Sequence, residues 1–369
     1  MPSISPRSGL ACLLAASGLV ACLAADVGPP GAEPARWRQH DIRRPKPPVA
    51  EPSEAAAPTK PPKGAVVLFD GTGLDAWKAS AGGGPAGWKV VDGQMETLPG
   101  AGKIETKQGF GDIQLHVEWA SPREPNGVGQ DRGNSGIFLM DQFEIQVLDS
   151  YKADTYADGQ AGAIYGEYPP LFNASRPPGE WQTYDIAFRR PRFDSAGKLK
   201  EPARITVLHN GVLIQNNEEP FGPTSWLRWQ PYADRGDRGP ISLQDHDHPV
   251  RYRNIWLREI PERPAPTASD LARPKVITLP QATLDQYAGN YLLNAKPNAP
   301  VAAIAREEGH LTIKLPFLPR PLALEPISET EFDMPHTDGR FKFARDDAGN
   351  VTGVQFRIGD GQREMKRTP

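Results

Sequence analysis

The sequence predicts an all-β protein, a concanavalin-like jelly-roll sandwich followed by a small antiparallel β-barrel or meander, and three observations predict it. Proline (40) and glycine (36) are frequent among the 369 residues, which favours short turn-linked strands over long helices. Apolar residues recur with a period of two over most of the chain, with no convincing 3.6-residue period of helical length. Proline-rich stretches at 26–63 and 263–278 set off two strand-rich regions, 64–262 and 279–369, which read as separate domains. Lys and Arg number 42 against 45 Asp and Glu, a net charge of -3, so the chain lacks the basic footprint of a nucleic-acid binder.

The first 25 residues have the shape of a secretory signal: Arg7, then an apolar run from Gly9 to Ala25 too short to span a bilayer comfortably. Leu19-Val20-Ala21-Cys22 resembles a bacterial lipobox, in which the Cys22 thiol receives the lipid and becomes the first mature residue. The alternative is ordinary cleavage after Ala25. Both cysteines, Cys12 and Cys22, lie here, so no disulfide forms within the mature chain. The expected location is outside the cytoplasm, periplasmic or on the outer membrane through an N-terminal lipid anchor, with Leu23 in place of an inner-membrane aspartate. Residues 26–63 read as an extended, solvated stalk of polyproline type, with Trp37 and Ile42 its only large apolar residues.

In the first domain, Ala65 to Phe69 is a strand. Trp88 to Val91, Asp92-Gly93 and Gln94 to Glu96 form a hairpin, because Asp-Gly accepts the positive φ of a type I′ turn. Ile113, Leu115, Val117 and Trp119 alternate with Gln114, His116 and Glu118, and Phe143, Ile145 and Val147 alternate with Glu144 and Gln146. A second hairpin turns at Asn210-Gly211, and Ile241 to His246 and Tyr252 to Ile260 supply late strands. The second domain offers short runs at Val301 to Ala305, Leu311 to Leu315, Phe341 to Ala344 and Val354 to Ile358, punctuated by glycine turns.

Chemistry is sought first on Glu144. Its same-face neighbours are Gln146 and Leu148, and Asp149 falls on the other face or in the turn beyond, so the strand carries no carboxylate pair. Glu118, Asp112 or Asp185 would have to supply a partner from another strand. Gln244, His246 and His248 would share a face if their strand continued, and imidazoles in that pattern serve as a general base or as metal ligands, or else they are polar turn residues. A divalent metal at His246 and His248 is therefore an open possibility. Asn134-Ser135-Gly136 reads as a turn or a polar contact, Tyr165 as a packing residue or a phenol for a ligand, and Trp226 and Trp229 as core or as sugar-stacking rings.

Val67 to Gly71, Asn134 to Phe138, Phe143 to Asp149, Gly162 to Gly166, Gly179-Glu180-Trp181 and Gly239 to Ile260 together resemble the 3-keto-disaccharide hydrolase domain. The stretch around His40-Asp41-Ile42 and Pro45 to Pro48 is similar to the leader of some secreted members. Leu284 to Tyr291 resembles a small lipocalin-like domain of unknown function. The resemblance implies a jelly roll that cleaves glycosides oxidised at C3, where the ketone acidifies the C2 proton and permits elimination followed by hydration. The catalytic candidates are then His246 as base or metal ligand, Glu144 as its acid partner, and Tyr165 at the leaving oxygen or the enolate. Asn134, Gln146, Gln244 and Asp149 are the substrate-binding candidates. A conventional jelly-roll glycosidase and a non-catalytic carbohydrate-binding lipoprotein are the competing expectations.

Overall fold

Strands that alternate apolar and polar side chains must bury one face, and the computed structural model shows two sheets doing so against each other. It describes residues 37–52, 54, 59–124, 127–294 and 299–368. The signal, lipobox and Cys22 readings lie outside the described residues. The chain divides into two units, before and after the Glu262–Arg263 bond.

In the first unit the larger sheet has eight strands, ordered Val212–Glu218, Arg204–His209, Gln182–Arg189, Ile113–Ala120, Arg251–Glu259, Gln94–Glu96 and Lys89–Val91, with Val66–Phe69 also pairing on Arg251–Glu259. The smaller has five, ordered Trp77–Ala79, Ile104–Thr106, Ser242–Leu243, Ser135–Leu139 and Phe143–Val147. All of these pairings are antiparallel. Ile113, Leu115, Val117 and Trp119 from one sheet, and Ile137, Phe143, Ile145 and Val147 from the other, belong to one buried cluster, so the anticipated sandwich is present. The Asp92-Gly93 hairpin forms with both residues at positive φ, 51° and 73°, as a type I′ turn requires.

Two expectations change. His116 and Glu118, anticipated on a half-exposed polar face, are each only 2% exposed. The segment from Trp37 to Ala50, anticipated as a solvated stalk, is docked on the sandwich. Gln39 Nε2 donates to Ser225 O at 2.6 Å, the His40 N–H to Asp158 Oδ2 at 2.9 Å, and Arg44 to Glu167 O at 3.0 Å. Its end forms a parallel bridge, Val49 to Asn173. Ile42 and Val49 remain 62% and 80% exposed, so polar contacts rather than apolar burial hold the segment, and counting its apolar residues misses the docking.

The second unit is a closed barrel of eight strands: Gly289–Leu292, Val301–Glu307, His310–Lys314, Leu322–Pro326, Glu331–Asp333, Arg340–Arg345, Val351–Ile358 and Gly361–Arg367. Closure removes the free sheet edges. Tyr291, Phe332, Phe341 and Phe343 fill it. One short helix, Gln281–Tyr287, was not legible; at seven residues it is too short to show a period, but it buries Leu284 and Tyr287, one turn apart. No helix among the described residues is long and apolar enough to cross a membrane.

Candidate functional site

The five-stranded sheet carries a row of side chains on the face turned away from the core. Register sets Glu105, Ser242, Phe138 and Glu144 side by side across four strands, and Gly136 opposite Gln146. Side chains at paired positions share a face, so Glu144 and Gln146 project together beside the bare backbone of Gly136. A β-carbon at residue 136 would occupy the space of Glu144 Oε1, which is what requires glycine there.

Beyond the edge strand the chain from Gly162 to Tyr168 adds an irregular sixth rung. The Tyr165 N–H donates to Glu144 O at 3.1 Å, the Gln146 N–H to Ala163 O at 3.0 Å, and the Gly162 N–H to Gln146 O at 2.9 Å. On the same strand the Glu144 N–H donates to Thr224 Oγ1 at 2.9 Å. The glycine-rich run thus acts as an edge cover that holds Tyr165 against Glu144. Its phenol meets that of Tyr156 at 3.0 Å.

Glu144 is 7% exposed, and burial pushes its carboxyl up to about 8, against the opposing pull of the Lys103 ammonium. At pH 7 the group is mostly protonated, an acid with a proton to give. Lys103 itself is engaged by Asp141 at 2.5 Å and lies over the Phe138 ring at 4.9 Å. Burial, reinforced by Tyr156 and Glu144, raises the Tyr165 phenol well above its ordinary value, and burial raises Tyr156 as well, so both phenols are neutral hydrogen-bond donors.

The Gln146 amide reaches both Gln130 and Glu144: in one orientation its Nε2 donates to Gln130 Oε1 at 2.9 Å, and turned over, which relieves an oxygen otherwise facing only acceptors, it donates to Glu144 Oε1 at 3.2 Å and to Ser135 O at 3.1 Å. Asn134 lies 3.5 Å from Gln146 Nε2 and donates to Gln130 O at 2.9 Å. Glu144, Tyr165, Gln146 and Asn134 are therefore brought together as one cluster.

The other candidates are placed differently. Gln244 borders the cluster, its N–H donating to Gly136 O at 2.9 Å and its buried Oε1 left without a protein partner. Asp149 accepts from Arg132 at 2.5 Å and from the Tyr151 N–H at 3.2 Å, which ties it to the neighbouring loop. The strand expected through His246 stops at Leu243. Asp245 accepts from the Asp247 and Gly102 N–H groups at 3.0 and 2.9 Å, and Asp247 takes a φ of 60°, so Gln244, His246 and His248 do not continue along one strand face. His246 is exposed and its ring stacks on His248 at 6.0 Å, while His248 Nε2 meets Asp131 at 3.0 Å. No described hydrogen bond or ion pair joins His246 to the Glu144 cluster, and among the described residues no three of His, Cys, Asp and Glu gather as a metal would need.

The alternative carboxylates also have other places. Glu118 is bound by Arg253 and Asn254 at 2.6 and 2.7 Å, Asp112 by Arg192 at 2.6 Å, and Asp185 by His116 at 2.7 Å. The carboxylate in register with Glu144 is Glu105, three strand spacings of about 4.8 Å away, or roughly 14 Å. That exceeds the ~5 to 9.5 Å separation of paired glycosidase carboxyls. Trp226 is 68% exposed rather than core, and Trp229 meets Phe221 edge-on at 5.0 Å.

Sequence reasoning missed Gln130, Lys103, Tyr156, Asp158 and His40. Asp158 is wholly buried behind Tyr165, and the side chains facing it are His40 and Arg44 of the docked N-terminal segment, at 3.5 and 3.8 Å. The one available signal was a histidine and arginines in an otherwise proline-rich stretch.

A β-sandwich with a buried, proton-bearing carboxyl and amide side chains on the outer face of its smaller sheet belongs among the glycosyl hydrolase-like enzymes. The match of a family model over residues 64–258 makes this chain a member of the 3-keto-alpha-glucoside-1,2-lyase-like domain family. A crystal structure from Parabacteroides distasonis, provisionally named a glycosyl hydrolase, is similar at 43% identity and a TM-score of 0.53, covering 58% of this chain and 93% of that one. Two further structures from that organism, with the same provisional name, share 20% and 21% identity at TM-scores of 0.40 and 0.39. They cover 53% of this chain and 94% and 99% of their own, and add nothing to the assignment. Comparison with curated proteins gives no match.

Proposed function

We propose that this protein cleaves glycosides whose sugar carries a ketone at C3, by elimination and hydration. The observation that carries the reading is Glu144: a neutral, buried acid on a strand with no second carboxylate, whose register partner Glu105 stands three strands away. Such a site suits a reaction that needs one acid and avoids an oxocarbenium ion. A base takes the C2 proton, the C2–H electrons pass through the enolate to form the C1=C2 bond, and the C1–O bond breaks as the leaving oxygen takes the Glu144 proton. Water then adds at C1 and a proton returns to C2, which completes a net hydrolysis. In this reading Tyr165 donates to the enolate oxygen, and Asn134, Gln146 and Gln244 orient hydroxyls. The same reading makes the protein exported and held by lipid at Cys22, which a Cys22→Ser variant lost from the membrane fraction would support.

The test incubates the protein with a 3-keto-glucoside and with its unoxidised parent, with and without chelator, and follows aglycone release. Release from the keto sugar alone is expected. Release from the parent would instead make this an ordinary glycosidase, binding without release a carbohydrate-binding protein, and loss under chelator would bring His246 and His248 back as metal ligands.

A further inference from the structure

The elimination just described needs a base, and the Glu144 cluster offers none. Glu144 is mostly protonated at pH 7 and already serves as the acid in this reading, Tyr165 and Tyr156 are neutral phenols, and Gln146, Gln130 and Asn134 are amides. The sequence's base candidate, His246, is exposed and stacked on His248. One imidazole does lie against the cluster, and it comes from the docked N-terminal segment. The His40 side chain is 9% exposed, with its ring centroid 4.1 Å from that of Tyr156 and 5.1 Å from that of Tyr165.

Nδ1 lies 3.5 Å from Oδ1 of the fully buried Asp158, whose Oδ2 accepts the His40 backbone N–H at 2.9 Å. Neither ring nitrogen makes a hydrogen bond in the protein, but the carboxylate stands on the Nδ1 side at ion-pair range and Nε2 is buried without a partner. A carboxylate on the Nδ1 side selects the tautomer with the proton on Nδ1 and leaves Nε2 a lone pair, the arrangement that makes histidine a general base. The residue is also held at a φ of 60°, a conformation uncommon for a side chain of this size. It is held by contacts on both sides: Gln39 to Ser225 O at 2.6 Å, over a Gly166 where a β-carbon would collide with the Gln39 amide, and Arg44 to Glu167 O at 3.0 Å. A spacer needs neither a buried imidazole nor a matching buried aspartate.

We propose that His40 is the base that takes the C2 proton, that Asp158 is its positioning residue, and that the N-terminal segment 37–50 is therefore part of the active site. This rests on the elimination reading above. Nε2 takes the proton as the C2–H electrons enter the enolate, and the imidazolium that forms is stabilised by the Asp158 carboxylate.

The experiment separates the base from the rest of the reaction by following solvent deuterium uptake at C2 of 3-keto-glucose, a sugar with no aglycone to expel, beside aglycone release from a 3-keto-glucoside. The full chain is used throughout, with circular dichroism and melting as the check on folding. The wild type should do both; a wild type that does neither overturns the elimination reading itself. His40→Ala should lose at least 100-fold in C2 exchange, with partial restoration by added imidazole at fixed pH, and Asp158→Asn should lose less. Exchange by His40→Ala within tenfold of an active wild type overturns the assignment of the base while leaving the elimination reading intact. A loss that imidazole does not restore reassigns His40 to packing, and equally overturns the proposal.

Discussion

The strands Ile113–Ala120 and Phe143–Val147 read alike in sequence, and each buries a glutamate on its polar face, yet the two glutamates have opposite fates. Glu118 is surrounded by Arg253, Asn254 and His116; these contacts outweigh burial and hold its carboxyl below the usual range. His116, shared between Glu118 and Asp185, is raised to about 9 against the pull of burial and stacks on Trp256. Every charge there has a counter-charge. Glu144 has only the pull of Lys103, which is itself held by Asp141, and burial drives it up to about 8. A buried carboxyl saturated by partners is held ionised, whereas one without them is held neutral with its proton.

Three substitutions, read in four measurements, break or sharpen this contrast. Glu144→Gln is expected to lower turnover on a 3-keto-glucoside by about 10²- to 10⁴-fold, the usual worth of a general acid, in a steady-state assay. Glu118→Gln should do the converse, costing about 3 kcal/mol of stability in denaturant unfolding because it leaves Arg253 uncompensated and His116 with Asp185 alone, with turnover per folded molecule retained. The third contrast is one of pH. The folded carboxyl of Glu144 sits at about 8 and the free one near 4.5, so the unfolded chain releases its proton first as pH rises. Wild-type stability contributed by the neutral group is complete below about 4.5 and is lost on the way to about 8. The melting temperature of Glu144→Gln relative to wild type should therefore climb between those values, while Glu118→Gln shows no such gain; a flat Glu144→Gln difference would mean the group is ionised in the fold. Smallest is His246→Ala, an exposed substitution expected to change turnover by no more than about twofold. A large loss there would return the base to the Gln244–His248 turn.

Much of this was legible in the chain. Alternation located both glutamate strands, Asp92-Gly93 and Asn210-Gly211 located hairpins, and the lack of a carboxylate pair on Phe143–Val147 already argued against a conventional glycosidase. What was not legible depends on long-range placement. Nothing local distinguishes Glu118 from Glu144, because the distinction lies in Arg253 and Asn254, more than 130 positions away for Glu118. The docking of His40 on Asp158 spans 118 positions and is made by hydrogen bonds, so a reading that weighs apolar content sees only a stalk. The Gln244–His248 strand failed for a local reason, since the Asp245 side chain captures the Asp247 N–H and turns the chain.

The most direct test asks whether Glu144 delivers its proton to the leaving oxygen. Wild type and Glu144→Gln are compared on two 3-keto-glucosides, one with a nitrophenol aglycone that leaves without a proton and one with a simple alkyl alcohol that cannot. The expected result is a loss of at least 100-fold on the alkyl glycoside and less than tenfold on the nitrophenyl one. An equal loss on both would contradict the acid role and make Glu144 a group that only binds or shapes the site.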